Sequence, residues 1–307
     1  YQGRMEESEK ELNAVIKEMN SQKARKLLAE IKLETGKVAD AKQIVDQILK
    51  ENDKDLDGKY LKGRIALAEK RMDDAKALFG EVVKQDAGMA RARLYNGLTE
   101  IQQGQIEVGR KEIEEAVKLD PGNARGQLLF GEVSLRSGNP AVAEKAALEV
   151  LRRNPSNALA AVLLADSFLA RKEWKKAEQI YQAMIKQLPK SPVGYLKMGL
   201  SRKLQGKPND AAGFFAQAVE RNPKDLTAIN EYIFALAAAK ETAKAKKALD
   251  DTVAKEPKNP LLWDMVGRFQ LASGKPAEAE TAFLKSIELA PEFTSPYYQL
   301  GVMYAAQ

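Results

Sequence analysis

Two residue types on which protein chemistry often relies are missing from this chain of 307 residues: it has no cysteine and no histidine. Without cysteine there are no disulfides and no thiolate chemistry, and the cell compartment stays open. Without histidine the commonest general base near neutral pH and the commonest transition-metal ligand are both gone. Aromatic residues are few, 7%. No apolar run approaches the ~20 residues that a membrane span needs. The 49 basic and 43 acidic residues are interspersed, so the net charge of +6 never collects into a like-charged block. That balance suits a soluble protein and does not point to nucleic acid. No linker rich in Ser, Gly or Pro divides the chain, so a single elongated body is expected.

What the sequence does contain is a period. The stretches LDPGN, RRNPSN, QLPKS, RNPKD, KEPKN and LAPEF place Pro121, Pro155, Pro189, Pro223, Pro257 and Pro291 at intervals of 34 residues. A fixed repeat of this length marks a supersecondary unit that buries its apolar face only by stacking on its neighbours. With the proline at position 32, the chain divides into eight contiguous repeats: 22–55, 56–89, 90–123, 124–157, 158–191, 192–225, 226–259 and 260–293. Residues 1–21 read as the second half of a preceding repeat and 294–307 as the first helix of a further one. Both ends are expected to be truncated.

Each repeat reads as two helices. Position 34 holds Ser21, Asp55, Asn123, Asn157, Ser191, Asp225 and Asn259, side chains that accept from the free N–H groups opening the next helix. Met89 and Phe293 depart from this column. Position 15 holds Gly36, Gly104, Gly138, Gly206 and Gly274, which can close a helix in the left-handed conformation; Lys70, Lys172 and Lys240 stand there in three repeats. Small residues at positions 8 and 20 alternate with larger ones at position 24, such as Phe79, Tyr181, Phe215 and Phe283, the interdigitation of a packed core.

The pattern resembles the tetratricopeptide repeat family, whose W-x2-L-G-x2-Y…A-x3-F…P consensus is met by Trp263, Gly267, Ala279, Phe283 and Pro291 and again by Leu300, Gly301 and Tyr304. The resemblance implies an all-α fold, a right-handed superhelical α-solenoid of antiparallel helix pairs whose concave face is lined by first helices. Its groove positions fall here on Tyr60, Arg64, Arg91, Leu94, Leu98, Arg125 and Leu128, then on Leu159, Val162, Asp166, Leu196, Leu200, Lys203, Asn230 and Phe234. Arginines mixed with apolar residues therefore precede a largely apolar stretch. A groove of that kind suits an extended peptide or amphipathic helix, with Arg64, Arg91 and Arg125 steering an acidic segment. The competing reading packs some of these leucines between repeats and leaves the arginines solvated.

The carboxylate clamp of chaperone-docking members is absent: Lys26 is in place, but Glu30 replaces the asparagine and Leu61, Arg91 and Tyr95 follow. Trp174 lies among basic residues in ARKEWKKAE, where a structural role at a helix start outweighs base stacking. No phosphate-binding glycine loop, nucleophile elbow or metal-ligand cluster is present, so no catalytic residue, metal or cofactor is expected. The expected function is a non-catalytic scaffold whose partner is a protein or peptide, with no nucleic acid and no membrane span. Self-association through the apolar last helix is a further expectation. Likeness to long bacterial arrays leans toward an envelope, exopolysaccharide or secretion assembly on the periplasmic side. A cytosolic peptide-binding adaptor is the alternative, and a basic nucleic-acid-binding solenoid a remote one.

Overall fold

The computed structural model describes residues 2–305, and every regular element among them is an α-helix. The chain divides into two compact bodies, Tyr1–Arg171 and Lys172–Gln307. The sequence carries no linker there, because the division falls at a tight turn between two helices. The first body comprises α1 (Gln2–Met19), α2 (Gln22–Glu34), α3 (Val38–Glu51), α4 (Leu56–Ala68), α5 (Met72–Gln85), α6 (Ala90–Gln102), α7 (Ile106–Leu119), α8 (Ala124–Arg136), α9 (Pro140–Arg153) and α10 (Ala158–Ala170). The second comprises α11 (Trp174–Gln187), α12 (Pro192–Leu204), α13 (Pro208–Arg221), α14 (Leu226–Ala238), α15 (Thr242–Lys255), α16 (Pro260–Ala272), α17 (Pro276–Leu289) and α18 (Thr294–Ala305). Even-numbered helices from α2 onward are the first helices of pairs, and odd-numbered helices are the second.

The polar residue before a first helix caps it. Asp55 accepts from the Gly58 N–H at 2.8 Å, Asn123 from Gly126 at 3.0 Å, Asn157 from Ala160 at 3.0 Å and Asp225 from Thr227 at 2.9 Å. Ser21, Ser191 and Asn259 do the same, whereas Met89 before α6 has no side-chain acceptor. Each such cap contributes ~1 kcal/mol.

Second helices have no side-chain cap, and a recurring backbone hydrogen bond holds the turn before them. Gly36, Gly104, Gly138, Gly206 and Gly274 take φ of 71–81°, and the next residue's N–H reaches back to the last turn, as from Asn139 to Ser134 O at 2.8 Å. Lys70, Lys172 and Lys240 take the same left-handed conformation with φ of 61–63°.

Packing between paired helices follows the small-and-large columns. A Cβ on Gly63 would stand 2.6 Å from the Phe79 ring and one on Gly199 2.5 Å from the Phe215 ring, so the absent side chain makes the socket for the aromatic. Gly97 and Gly109 bring α6 and α7 into backbone contact; a Cβ on Gly97 would meet Gly109 O at 2.6 Å. A Cβ on Gly131 would face Ala146 of its own second helix at 3.2 Å and, closer still, a side chain of the next repeat at 2.5 Å. Its socket is filled by Leu163 of α10, because position 24 of that repeat is the small Ala147.

The proline column has a partner that the sequence does not advertise. The fourth residue of a first helix donates to the carbonyl six residues earlier: Trp263 Nε1 to Pro257 O at 2.8 Å, Tyr297 OH to Pro291 O at 3.1 Å, Tyr195 OH to Pro189 O at 3.4 Å, Gln127 Nε2 to Pro121 O at 3.4 Å and Arg93 Nε to Ala87 O at 2.7 Å. A carbonyl of the turn between successive repeats is thereby satisfied.

Candidate interaction face on the first helices

In the first body the residues expected to line a groove converge on two tyrosines. Tyr60 of α4 and Tyr95 of α6 pack edge to face with ring centroids 5.7 Å apart, and Phe79 stacks on Tyr95 at 5.5 Å. Both tyrosines are buried, and burial pushes the Tyr60 phenol well above its ordinary value, so it stays neutral. The three arginines lie over these rings. Arg91 stands 4.7 Å from the Tyr60 centroid, and Arg64 and Arg125 stand 5.2 and 5.4 Å from that of Tyr95. Arg125 also donates to the Tyr95 hydroxyl at 2.9 Å.

Two of the three are already neutralised. Arg64 pairs with Glu34 at 2.6 Å; Arg91 pairs with Glu30 at 2.9 Å and with Asp57. Lys26 joins the same network through Asp55 at 2.7 Å and Asp57 at 3.0 Å. Burial alone would raise the Asp57 carboxyl, but Lys26 and Arg91 outweigh it and hold the group below the usual carboxylate range. These links tie α2, α4, α6 and α8 into one surface. Arg125 is exposed and has no carboxylate partner among the described residues.

Two expected contact residues are buried. Leu94 is 3% exposed and packs with Ile113, Ala116 and Val133; Tyr60, equally buried, has given its ring to the core. Leu98 and Leu128 are half-buried against core clusters. On α10, Leu159 is 70% exposed, while Val162 and Asp166 are half-buried. The helix-facing side of a position-5 leucine and the solvent-facing side of a position-2 leucine thus have different fates.

In the second body Leu196, Leu200 and Phe234 are half-buried, lean on one core cluster, and leave an apolar strip on α12 and α14. Lys203 is exposed and pairs with Glu231 at 2.6 Å. Asn230 accepts from Arg268 at 3.0 Å; Arg268 lies 5.4 Å from the Phe234 ring and pairs with the buried Asp264 at 3.0 Å, which accepts from Ser295 Oγ at 3.0 Å. This link across α14, α16 and α18 was not anticipated, although Asp264 and Arg268 stand at the same groove positions as Tyr60 and Arg64. The exposed Val193, Leu261 and Tyr298 were also missed, and each stands at a groove position of its repeat. Trp174 opens α11 and is half-buried. Among the described residues no cluster of acidic side chains could hold a metal ion, and no helix is long and apolar enough to cross a membrane.

Known proteins share this architecture. Sequence models of the tetratricopeptide repeat match residues 2–65, 66–131 and 204–269, and two further models of the same repeat match 128–192 and 262–293. A tetratricopeptide repeat protein from Parabacteroides merdae superposes with a TM-score of 0.64 at 13% identity, over 81% of this chain and 98% of its own. YrrB, described as having an unusual peptide-binding site, superposes with a TM-score of 0.51 at 14% identity, over 60% and 95%. Human IFIT1, solved as a dimer with PPP-AAAA, gives 0.57 at 18% identity, over 98% and 77%. At these identities the likeness is one of fold. A search of curated proteins returns no match. The chain is an all-α helical repeat solenoid and belongs to the tetratricopeptide repeat family.

Proposed function

We propose that this chain is a non-catalytic interaction scaffold that takes a peptide, helix or protein surface on the face of its first helices. The observation that carries the reading is the unpaired character of that face in the second body. Val193 and Leu261 are 40% and 45% exposed and Tyr298 70%, beside the strip of Leu196, Leu200 and Phe234. Apolar anchors repeated along one helix face suit an amphipathic helix or extended peptide. The peptide-binding site in YrrB, a protein of this fold, supports the same use. The repeat boundaries 22–293 belong to the proposal, as does a place in an envelope or secretion assembly, with a cytosolic adaptor as the alternative.

IFIT1, of similar fold, was solved with PPP-AAAA, but the state of the cations on the first-helix face favours a different occupant here. Arg64, Arg91 and Lys26 are held by Glu30, Glu34, Asp55 and Asp57, and phosphate would have to displace those carboxylates. Peptides selected from a random display library against the protein test the reading. The triple variant Val193→Glu, Leu261→Glu, Tyr298→Glu should lose at least about tenfold in affinity for them, because anchors carry most of the binding energy. Leu284→Glu, on the exposed side of α17, should leave affinity unchanged. Equal affinity for both variants would remove the face from the site.

A further inference from the structure

Away from the first-helix face, a cavity of about 420 Å³ opens between α7, α8 and α9. Val117, Phe130, Val142 and Ala146 give it apolar walls, and Gln127 and Lys145 give it two polar groups. Its size is that of a small-molecule site.

The repeat explains why it is open. Gln127 is the fourth residue of α8 and Ala146 the seventh of α9. In α16 and α17 the same positions hold Trp263 and Ala282, an indole set against an alanine. In α12 and α13 they hold Tyr195 and Phe214, which share a core cluster, with the Arg221 guanidinium 3.7 Å from the Tyr195 ring. In α6 and α7 they hold Arg93 and Glu112, ion-paired at 2.9 Å. Only the α8/α9 pair among these four combines a short amide with an alanine. The α16/α17 pair, which has the same alanine, carries an indole in place of the Gln127 amide.

The polar groups complete the description of an occupant. Gln127 is 8% exposed; its Nε2 donates to Pro121 O, as Trp263 Nε1 does to Pro257 O, and its Oε1 has no protein donor among the described residues. The charged groups around the cavity are otherwise self-paired: Arg110 with Glu107 and Glu114, Lys118 with Glu114 and Glu115, Glu149 with Arg152 and Arg153. Lys145 is exposed and has no ion pair among the described residues. The uncompensated charge is positive.

We propose that this cavity binds an aromatic carboxylate of indole type, its ring between Phe130 and Ala146, its carboxylate on the Lys145 ammonium and its ring N–H donating to Gln127 Oε1. A free small acid and the C-terminal tryptophan of another chain share this chemistry. Calorimetric titration of the whole chain with 3-indolepropionate, with acetyl-Gly-Gly-Trp bearing a free C-terminus, and with tryptamine decides it. At least one acid should bind saturably at one site, and tryptamine, which carries a cation, at least about fivefold more weakly. Gln127→Trp should abolish binding with the melting temperature unchanged or raised, because the new indole takes the place Trp263 takes in α16. Val142→Trp, filling the cavity from α9, gives a second variant with the same expected loss, and Lys145→Glu should weaken the acids at least about fivefold. Tighter binding of the peptide assigns the source to a chain terminus, and tighter binding of the free acid to a small molecule. Absence of saturable binding by both acids up to about 5 mM, tryptamine binding as tightly, or unchanged binding by both cavity-filled variants overturns the proposal.

Discussion

Individual residues divide into those whose role a local rule exposes and those whose partner lies far along the chain. Asp55 and Asn157 announce themselves as caps because the acceptor and its N–H are three residues apart. Arg91 does not announce its pairing, since Glu30 lies 61 residues away. The signal exists only after the repeats are superposed, when opposite charges at positions 2 and 9 come into register. Arg91→Glu should therefore destabilise the first body by on the order of 1 kcal/mol or more, since it sets a third carboxylate against Glu30 and Asp57. Arg125→Glu, which loses the Tyr95 hydroxyl bond and the stacking over its ring but breaks no ion pair, should cost less; equal melting temperatures for the two variants would contradict the pairing. Glycines divide in the same way. Gly97→Ala drives a Cβ into a backbone oxygen of α7 and should cost ~1–3 kcal/mol in urea unfolding. Gly213→Ala, mid-helix in α13 with nothing within 4 Å, should instead stabilise by roughly 0.5–1 kcal/mol. Glu100 adds a pH signature. Burial, reinforced by Glu112, pushes its carboxyl up, and Oε2 has no partner, so its ionised form opposes folding. That penalty is absent while the group is protonated in both states and sets in as pH rises through the ordinary carboxylate range. Glu100→Gln should raise the melting temperature at neutral pH, and the gain should vanish at acid pH; a gain independent of pH would rule out the carboxyl as its cause.

Helices and turns were the most legible scale, because their determinants are local and periodic. The left-handed turns at Gly36 and Gly138 follow from glycine itself, and Lys70 and Lys240 were placed in the same column by spacing alone. A lysine there carries a conformational cost that glycine does not, so Lys70→Gly and Lys240→Gly should each stabilise by roughly 1 kcal/mol in urea unfolding. The α15 helix is the sparsest in its body together with α11: it buries only Ala245 and Leu249, whereas α13 buries Ala211, Ala212, Phe215 and Ala218. Less apolar area at an interface means a weaker nearest-neighbour interaction in a repeat protein. Amides of α15 should exchange faster than those of α13, and equal or slower exchange would show that its alanines pack better than their burial implies. Which face a groove residue shows to solvent was less legible than the helices themselves. Leu94 and Leu159 look alike in sequence, yet one closes a core cluster and the other stands 70% exposed, because position 5 turns toward the neighbouring pair and position 2 away from it.

At the scale of the whole chain the repeat fixed the fold class and left the partner open. Its two compact bodies offer first-helix faces of different character: arginines over buried tyrosines, two of them paired with carboxylates, in Tyr1–Arg171, and an apolar strip in Lys172–Gln307. Arg64 and Arg91 in the first are already paired with carboxylates, whereas exposed Val193, Leu261 and Tyr298 in the second leave apolar area to be buried. Hydrogen exchange resolved by peptide, with and without a saturating display-selected peptide, tests this assignment most directly. Slowed exchange in α12, α14 and α16, with α13, α15 and α17 unchanged, is the result the account predicts. Protection confined to α13, α15 and α17 would contradict it.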